Sequence, residues 1–259
     1  MSDKTSSAND PAPTQDPALS IVIPVFNEEE NIPTVVSEIE RKLVDRGDFE
    51  LLFVDDGSRD GTVRSIQEQA AERPWIRLVR HRSNFGKSAG LITAARSARA
   101  PWVATMDGDG QNDPEDLWRL AEVALDPEVS PDLLLVAGHR RRRNDTYLKQ
   151  LSSRVANGVR MRLSGDPTPD AACGLKIFRR DAFLELPQFD NMHRFLSALF
   201  RRQGGEVVSV MVEDRPRLYG ESKYGLHNRL WVGMADLLGM MWLQRRSIRR
   251  EVMPEEDLR

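Results

Sequence analysis

The stretch SIVIPVFNEEENIPTVVSEIERKLVDRGDFELLFVDD, residues 20–56, decides the fold class. Its two apolar runs, SIVIPVF and FELLFVDD, have the length and the β-branched content of buried strands, and apolar residues recur at helical spacing between them. A strand, a helix and a second strand predict a βαβ unit with parallel strands. Acidic and amide side chains directly follow each strand, so we expect them at one edge of the sheet.

The same alternation continues as far as Gly138, with apolar runs at 75–81, 102–107 and 132–138 and amphipathic segments between them. The sequence therefore predicts an α/β fold, with a mostly parallel sheet and helices on both faces. Further elements are expected beyond Gly138: a helix at Tyr147–Leu163, a strand at Gly174–Phe178, a helix near Phe195–Arg202, a strand at Glu206–Val212 and a helix from Leu226.

The predicted domain organisation has four parts. Residues 1–17 are rich in Ser, Pro, Asp and Ala and lack the pattern of a signal peptide, so we expect a disordered tail. Residues 18–225 are expected to form a catalytic domain, 226–250 an amphipathic helix at a membrane interface, and 251–259 a second tail. No segment reaches the roughly 18 to 20 apolar residues of a membrane-spanning helix.

Composition narrows the function classes. The formal net charge of −3 argues against non-specific nucleic-acid binding, since such domains are usually strongly basic. Cys173 is the single cysteine, so an intramolecular disulfide and a multi-cysteine metal site are excluded. No G-x-G-x-x-G motif follows the first strand, which argues against a dinucleotide-dependent oxidoreductase.

The turn ATMDGDGQNDPED, residues 104–116, crowds carboxylates together after an apolar run. Such carboxylates repel one another unless a cation lies among them. A calcium loop is excluded because Asn112 stands where Gly is required and Trp118 where Glu is required. The remaining pattern, D-x-D-x-Q, offers oxygen ligands of the kind that bind Mg²⁺ or Mn²⁺ against substrate phosphates. A solvated acidic loop before a Pro-initiated helix stays open as the alternative.

The turn VDDGSRDG, residues 54–61, is also consistent with a simple strand-to-helix turn, in which Gly57 permits the bend and Ser58 or Asp60 caps the next helix. Its calcium-loop interpretation fails because the twelfth position is Gln67. The basic run HRRRRND, residues 139–145, is consistent with a solvated surface, but it follows an apolar strand on the same predicted edge, which favours phosphate binding.

The chain resembles the inverting GT-A nucleotide-sugar glycosyltransferases of glycosyltransferase family 2 in four turns of matching order and spacing: PVFNEEENI (24–32), VDDGSRDGT (54–62), FGKSAG (85–90) and MDGDGQ (106–111). Later segments are similar to the polyprenyl-phosphate, dolichol-phosphate mannosyltransferase-like branch: AGHRRRRND (137–145), SSRVANGV (152–159), ACGLKIFRR (172–180) and RPRLYGESKYG (215–225). The resemblance covers about residues 18–245 and implies a GT-A, Rossmann-like fold.

The resemblance also implies site residues. The nucleotide-sugar pocket would be lined by Pro24, Phe26, Glu28, Asp55, Asp56 and Gly108. The ligands of Mg²⁺ or Mn²⁺ would be Asp107, Asp109 and Gln111, with the cation bridging the donor's diphosphate. Catalytic contacts with donor or acceptor phosphates would come from Arg140, Arg217 and Lys223, and Arg143 and Arg154 would join Arg140 at the acceptor phosphate. Phe26 replaces the commoner Tyr and keeps a ring to stack on a base.

The implied reaction is metal-dependent, inverting transfer of a hexose, with mannose favoured, from GDP-mannose or a UDP-sugar to a polyprenyl (dolichyl or undecaprenyl) phosphate. A phosphate monoester with a second pKa of about 6 is already ionised at neutral pH and needs no general base. Two alternatives stay open. One is transfer to a saccharide hydroxyl with Asp170 as the base, and the other is a non-catalytic scaffold that binds nucleotide sugars and recruits a membrane partner.

The final segment, LHNRLWVGMADLLGMMWLQRRSIRR, carries apolar residues at helical spacing and four arginines at its end. Such a helix suits a membrane interface, where arginines meet anionic head groups. The alternative is a helix that packs on the catalytic domain or on a partner subunit. We expect a cytoplasmic enzyme that is peripheral on the cytoplasmic face of a membrane, and an integral-membrane partner protein is an open route to anchoring.

Overall fold

The computed structural model describes residues 16–141, 161, 166–213, 215 and 226–246. The strands in this part of the chain are β1 (Leu19–Val25), β2 (Phe49–Asp55), β3 (Ile76–Arg80), β4 (Trp102–Thr105), β5 (Leu133–Arg140), β6 (Lys176–Arg179) and β7 (Glu206–Val212). The α-helices are α1 (Ile32–Leu43), α2 (Thr62–Glu72), α3 (Lys87–Ser97), α4 (Pro114–Ala124), α5 (Arg180–Leu184), α6 (Leu196–Arg202) and α7 (Leu226–Gln244), with a 3₁₀ turn at Met192–Arg194.

Within these residues the strands form one sheet in the order β3-β2-β1-β4-β6-β5-β7. β6 runs antiparallel to both of its neighbours, and every other strand pair is parallel. Lys176, the first residue of β6, therefore pairs with Thr105 at the end of β4 and with Ala137 in the last half of β5. The reversed strand thus brings its beginning to the edge where the parallel strands end.

Alternation along the strands divides the core between the two faces of the sheet. In β1, Ile21 and Ile23 pack with α1, α2 and α4, whereas Val22 packs with α3, α5 and α6. All three side chains are fully buried. Burial of one such side chain stabilises the fold by about 1.5–3 kcal/mol. The predicted fold class, a mostly parallel α/β sheet with helices on both faces, is confirmed.

The elements predicted beyond Gly138 agree with the structure where it describes them. The strand expected at Gly174–Phe178 spans Lys176–Arg179, and the expected helix from Leu226 is α7. The helix predicted at Tyr147–Leu163 lies almost wholly outside the described residues, as does the N-terminal tail. The helices in the described ranges include none that is both long enough and apolar enough to span a bilayer.

Buried Glu50 links three chain segments near the start of β1 and β2. Its carboxylate accepts hydrogen bonds from Ser20 Oγ at 2.6 Å and from the Arg99 amide at 2.6 Å, and it forms an ion pair with Arg77. Burial raises the pKa of Glu50, but the hydrogen bonds from Ser20, Arg99 and Arg77 outweigh this effect, so the pKa lies below its usual value. Ionised Glu50 therefore stabilises the folded state.

We expect Glu50→Gln to lower the free energy of unfolding at pH 7 by about 1–3 kcal/mol, because a charged acceptor of three hydrogen bonds is lost. The folded pKa is depressed, so this contribution is complete above the unfolded pKa of about 4.3 and is lost as the pH falls through the lower folded pKa. Urea unfolding at pH 7 and pH 3 should show a difference between the variant and the wild type that shrinks in acid. Glu68→Gln, which removes an exposed pair with Arg64, is the control and should have little effect. A pH-independent difference for Glu50→Gln would contradict the assignment.

Candidate active site

The turns that follow β1 and β2 are bound to each other. The Asn27 amide donates to Ser58 Oγ at 2.8 Å, and the Arg59 amide donates to Asn27 Oδ1 at 2.9 Å. The Glu28 amide donates to Thr62 Oγ1 at 2.8 Å. Asn27 has a positive φ of 53°, a conformation that Asn tolerates better than most residues. The two turns therefore form one unit at the carboxyl edge of the sheet.

Asp55 and Asp56 are buried, and their carboxylates bind the protein itself. Asp55 accepts from the Ser58 amide at 3.1 Å and from Arg80 Nε at 3.1 Å. Asp56 accepts from the amides of Phe85 and Gly86 at 2.9 and 2.8 Å.

Asp56 also contacts His81 Nδ1 at 2.8 Å. Gly57 has a φ of 77°, as the sharp turn requires, and a Cβ there would lie 2.7 Å from the Ser83 carbonyl carbon. The Asp55 and Asp56 carboxylates thus hold the turn after β2 in place, and Asp56 also anchors the residues directly before α3.

Pro24 and Phe26 lie at the end of β1. A Cβ on Gly90 would lie 3.2 Å from Pro24 Cβ, so the first turn of α3 packs closely on Pro24. Phe26 is half-buried, and so is Glu28, whose carboxylate accepts from Asn31 Nδ2 at 2.6 Å. The structure therefore brings five of the six residues predicted for the nucleotide pocket to one edge of the sheet, and the sixth, Gly108, lies in the turn after β4 at the same edge.

The D-x-D-x-Q turn follows β4 at the same edge. The Asp107 amide donates to Asn112 Oδ1 at 2.8 Å, and the Gln111 amide donates to Asp109 Oδ1 at 3.1 Å. A Cβ on Gly108 would lie 2.8 Å from Val25 Cγ1, so the turn packs directly on the end of β1. The turn is compact and is held by its own side chains.

Helix α4 begins immediately after this turn. Asp113 is its N-cap and accepts from the Glu115 amide at 2.9 Å, and Pro114 occupies the first helical position. The Asp113 carboxylate also pairs with Lys42 and Arg215. These contacts anchor the D-x-D-x-Q turn at its C-terminal side.

The Asp107 carboxylate lies between Lys87 and Gly174. Lys87 Nζ pairs with Asp107 Oδ1, and Oδ2 lies 2.2 Å from the position of a Cβ on Gly174. Burial raises the pKa of Asp107, but Lys87 and then Lys176 lower it more strongly, so the pKa lies below its usual value. Asp107 is therefore ionised at neutral pH.

A divalent cation fits the chemistry of this turn. Asp107 and Asp109 offer carboxylate oxygens two residues apart, the ligand type that Mg²⁺ and Mn²⁺ prefer. In the described ranges no three His, Cys, Asp or Glu side chains gather closely enough to hold a metal on their own. Mg²⁺ commonly binds one or two carboxylates together with waters and substrate phosphates. The two carboxylates therefore suit a cation whose coordination a diphosphate completes.

A cavity of about 180 Å³ lies beside Asp107, lined in part by Lys87, Lys176, His193 and Arg194. Lys176 is buried, and its Nζ donates to the carbonyl oxygens of Ala171, at 3.2 Å, and Cys173. Burial lowers the pKa of Lys176. The cavity thus combines cationic side chains with the backbone of the segment before β6.

His193, in the 3₁₀ turn at Met192–Arg194, also lines this cavity. Its Nδ1 lies 2.8 Å from Ser88 Oγ. Burial, then Lys87 and Lys176, lowers the pKa of His193 to about 3, so its imidazole is neutral at physiological pH. Local sequence patterns assigned no role in the site to His193, Lys87 or Lys176. A local signal existed for Lys176, a lone cation at the start of an apolar strand, and none existed for His193.

The predicted phosphate-binding residues are placed only in part. Arg140 makes a bidentate pair with Asp170, with Nε at 2.7 Å and NH2 at 3.0 Å from the two carboxylate oxygens. The remaining predicted phosphate ligands lie outside the described residues: Arg143, Arg154, Arg217 and Lys223. Gln111 Nε2 donates to the Arg215 carbonyl at 3.3 Å, so Arg215 lies next to the D-x-D-x-Q turn.

Residues 20–186 match the family described as Glycosyl transferase family 2. Among curated relatives, the dodecaprenyl-phosphate galacturonate synthase of Rhizobium johnstonii is 32% identical over 241 residues, covering 92% of this chain and 70% of the relative. The undecaprenyl-phosphate 4-deoxy-4-formamido-L-arabinose transferase of Aeromonas hydrophila is 31% identical over 228 residues, covering 86% and 67%. For a second such transferase, from Proteus mirabilis, the chain covers 62% of the relative's length.

Two solved structures share the fold. A mannosyltransferase from Pyrobaculum calidifontis, in complex with GDP-Man and Mn²⁺, has a TM-score of 0.62 and 22% identity, covering 97% of this chain and 70% of its own. The glucosyl-3-phosphoglycerate synthase of Mycobacterium tuberculosis, in complex with Mg²⁺ and UDP, has a TM-score of 0.65 and 19% identity, covering 88% and 79%. At these identities the likeness establishes the fold, and it agrees with the GT-A fold implied by the resemblance.

Proposed function

This chain belongs to glycosyl transferase family 2, and from that premise we propose that it moves a sugar from a nucleotide sugar to a polyprenyl phosphate. The observation that carries the proposal is the pairing of Asp107, in the D-x-D-x-Q turn, with Lys87, which lines a cavity together with Lys176 and Arg194. Neighbouring carboxylates and several basic side chains at the carboxyl edge of the sheet suit a diphosphate donor and an anionic acceptor. The two bacterial relatives, which are both polyprenyl-phosphate enzymes by name, support the acceptor class.

We propose that Asp107 and Asp109, with Gln111, hold Mg²⁺ or Mn²⁺. When bound, the cation neutralises charge that develops on the departing nucleoside diphosphate. The protein supplies the remaining charge stabilisation from side chains such as Lys87. Direct attack by the acceptor on the sugar's C1 gives inversion, as the resemblance implies. The Mn²⁺ and Mg²⁺ complexes of the two solved neighbours support the choice of metal.

The paired state of Asp170 favours a phosphate acceptor over a saccharide hydroxyl. An alcohol needs a general base, and Asp170 was the sequence candidate for that base. Both of its carboxylate oxygens already accept hydrogen bonds from Arg140, so this carboxylate is bound in a charge-assisted bidentate pair. A phosphate monoester is already ionised at neutral pH. The non-catalytic scaffold remains the alternative from another class.

The identity of the nucleotide-sugar donor is the most specific part of the proposal. The family branch implies GDP-mannose, which the archaeal neighbour binds, and a UDP-sugar is the alternative, since the mycobacterial neighbour binds UDP. The names of the curated relatives point to galacturonate and to a formamido-arabinose. The first is a hexose derivative and the second a pentose derivative. We propose a hexose, with mannose as the first candidate, as the family branch implies.

A release assay tests the proposal. Purified protein with Mn²⁺ or Mg²⁺ is given a panel of GDP- and UDP-sugars, with and without a short polyprenyl phosphate, and the released nucleoside diphosphate is measured. We expect lipid-dependent release from one donor. Tight nucleotide binding without turnover on any acceptor would favour the scaffold, and release that depends on a saccharide acceptor would favour the hydroxyl reaction.

We further propose that α7 lies on a membrane surface, on the cytoplasmic face as the resemblance implies. Met234, Leu238 and Trp242 recur every four residues and are 53%, 62% and 61% exposed. On the other side of the helix, Leu237 and Met240 pack against the part of the core that contains Val22 and helices α3, α5 and α6. Exposed apolar side chains beside Arg245 and Arg246 suit anionic lipid head groups. A lipid acceptor would be reached from the same surface, with or without an integral-membrane partner.

We expect Leu238→Glu to weaken binding to anionic liposomes by about tenfold, because one apolar side chain leaves the bilayer and a negative charge enters. Co-sedimentation with phosphatidylglycerol-containing vesicles measures the effect. Val44→Glu, at an exposed apolar residue after α1, is the matched control and should bind as the wild type does. Equal binding by all three proteins would show that the exposed face of α7 has another role.

A further inference from the structure

Lys87 combines an anchored backbone with a long, flexible side chain next to the candidate metal turn. It is the first residue of α3, directly after Gly86, whose φ is 86°. Asp56 holds the Gly86 amide at 2.8 Å, so the start of the helix is anchored to the turn after β2. The Lys87 side chain is 41% exposed, and its ammonium reaches across to Asp107. The long stem can change the position of the charge without moving the helix.

The Lys87 ammonium lies where the cation is expected. It pairs with Asp107 Oδ1, while the other oxygen of Asp107 faces Gly174. Burial lowers the pKa of Lys87, but Asp107 and then Asp109 outweigh this effect, so the pKa lies above its usual value. The ammonium is therefore within the field of both carboxylates proposed as metal ligands.

A lysine and a divalent cation at the same carboxylate repel each other. Once separated from Asp107, the ammonium can pair with another anion at the cavity that Lys87 lines. The donor's diphosphate supplies that anion next to the same carboxylates. Lys87 begins α3, and the N-terminus of a helix favours a phosphate because its first N–H groups have no partner within the helix.

We propose that Lys87 exchanges partners during donor binding. In the metal-free protein it neutralises Asp107, and when Mg²⁺ or Mn²⁺ binds, it leaves Asp107 and pairs with the diphosphate of the nucleotide sugar. The proposal rests on the proposed function, because it takes the metal turn and the diphosphate donor from it. Lys87 is then both a competitor of the metal and a ligand of the donor.

Opposite changes in two binding constants test this exchange. Calorimetric titration with Mn²⁺ alone should show tighter binding to Lys87→Met than to the wild type, by about threefold to tenfold, because the competing charge is gone. Titration with GDP and UDP in saturating Mn²⁺ should show about tenfold weaker binding to the variant, because a phosphate ligand is lost. Neither readout requires turnover. A purely structural Lys87 would weaken both.

Arg96→Met is the matched control, since it removes a positive charge from the last turn of the same helix, where Arg96 binds the exposed Gln188. This variant should bind Mn²⁺ and nucleotide with dissociation constants within about twofold of the wild-type values, a change of roughly 0.4 kcal/mol. Lys87→Gln serves as a second variant if thermal melting shows that Lys87→Met is unfolded. Weaker Mn²⁺ binding, or unchanged nucleotide binding, by a folded Lys87 variant would overturn the exchange alone. Wild-type protein that binds neither Mn²⁺ nor nucleotide would overturn the proposed metal site and the exchange with it.

Discussion

Asp109→Asn is expected to reduce lipid-dependent sugar transfer by about 10³-fold and to leave the fold intact. A bound cation contributes several kcal/mol to the stabilisation of a leaving group, and about 4 kcal/mol corresponds to a thousandfold in rate. Asn keeps an oxygen that can accept from the Gln111 amide, the 3.1 Å bond that closes the turn. The substitution therefore removes the charge and keeps the shape. The ratio kcat/KM at saturating Mn²⁺, with a thermal melt beside it, measures both parts of the prediction.

Glu115→Gln is the control for this change, because Glu115 lies in the first turn of α4 and pairs with Arg46 at the surface. It removes one acidic charge close to the turn in sequence, and we expect turnover within about twofold of the wild type, since surface pairs contribute little. If Asp109→Asn retained wild-type turnover and wild-type Mn²⁺ affinity, Asp109 would not be a metal ligand.

Gly174→Ala is expected to reduce the rate of sugar transfer by about 100-fold, for a steric reason. The new Cβ would lie 2.2 Å from Asp107 Oδ2 and 2.7 Å from its Cγ, well inside contact distance. Either the carboxylate or the segment before β6 must move, and a shift of about 1 Å in a reacting group lowers the rate by about 100-fold. The free energy of unfolding should fall by about 1–3 kcal/mol, as overpacking usually causes. Initial-rate kinetics, Mn²⁺ titration and urea unfolding provide the three measurements.

The matched control is Gly239→Ala in α7, where a Cβ meets no atom within 4 Å. This variant should keep full turnover and gain up to about 1 kcal/mol in stability, since Ala favours a helix more than Gly does. Equal kinetics for the two alanine variants would mean that the close approach of Gly174 to Asp107 has no bearing on catalysis.

Local sequence patterns were enough to predict the parallel part of the sheet and the three turns that follow β1, β2 and β4. Apolar runs of strand length, helical periodicity and Gly-containing acidic turns are all contained in short windows. The D-x-D-x-Q turn was recognisable because its carboxylates are neighbours in the chain. The closure of this turn by Asn112 and the cap at Asp113 also arise within a few residues.

The remaining part of the site depends on contacts between distant residues. Ser88 and His193 are 105 positions apart in the chain, and Arg140 and Asp170 are 30 apart. No short window carries a signal for such pairs. The reversed direction of β6 also had no local signal, and that reversal brings Lys176 to the carboxyl edge. A resemblance to a family pointed to the D-x-D-x-Q turn as a site, whereas the cationic cavity required the three-dimensional arrangement.

The cluster around Glu50 and the D-x-D-x-Q turn lie at opposite ends of the sheet's parallel strands. Glu50 pairs with Ser20 near the start of β1, whereas Asp55 ends β2 and Asp107 follows β4. Substitutions at residues more than about 7–10 Å apart that share no partners usually have additive effects. Heat tolerance and sugar preference can therefore be engineered separately in this enzyme, by selecting the first among residues at the strand starts and the second among residues at the strand ends.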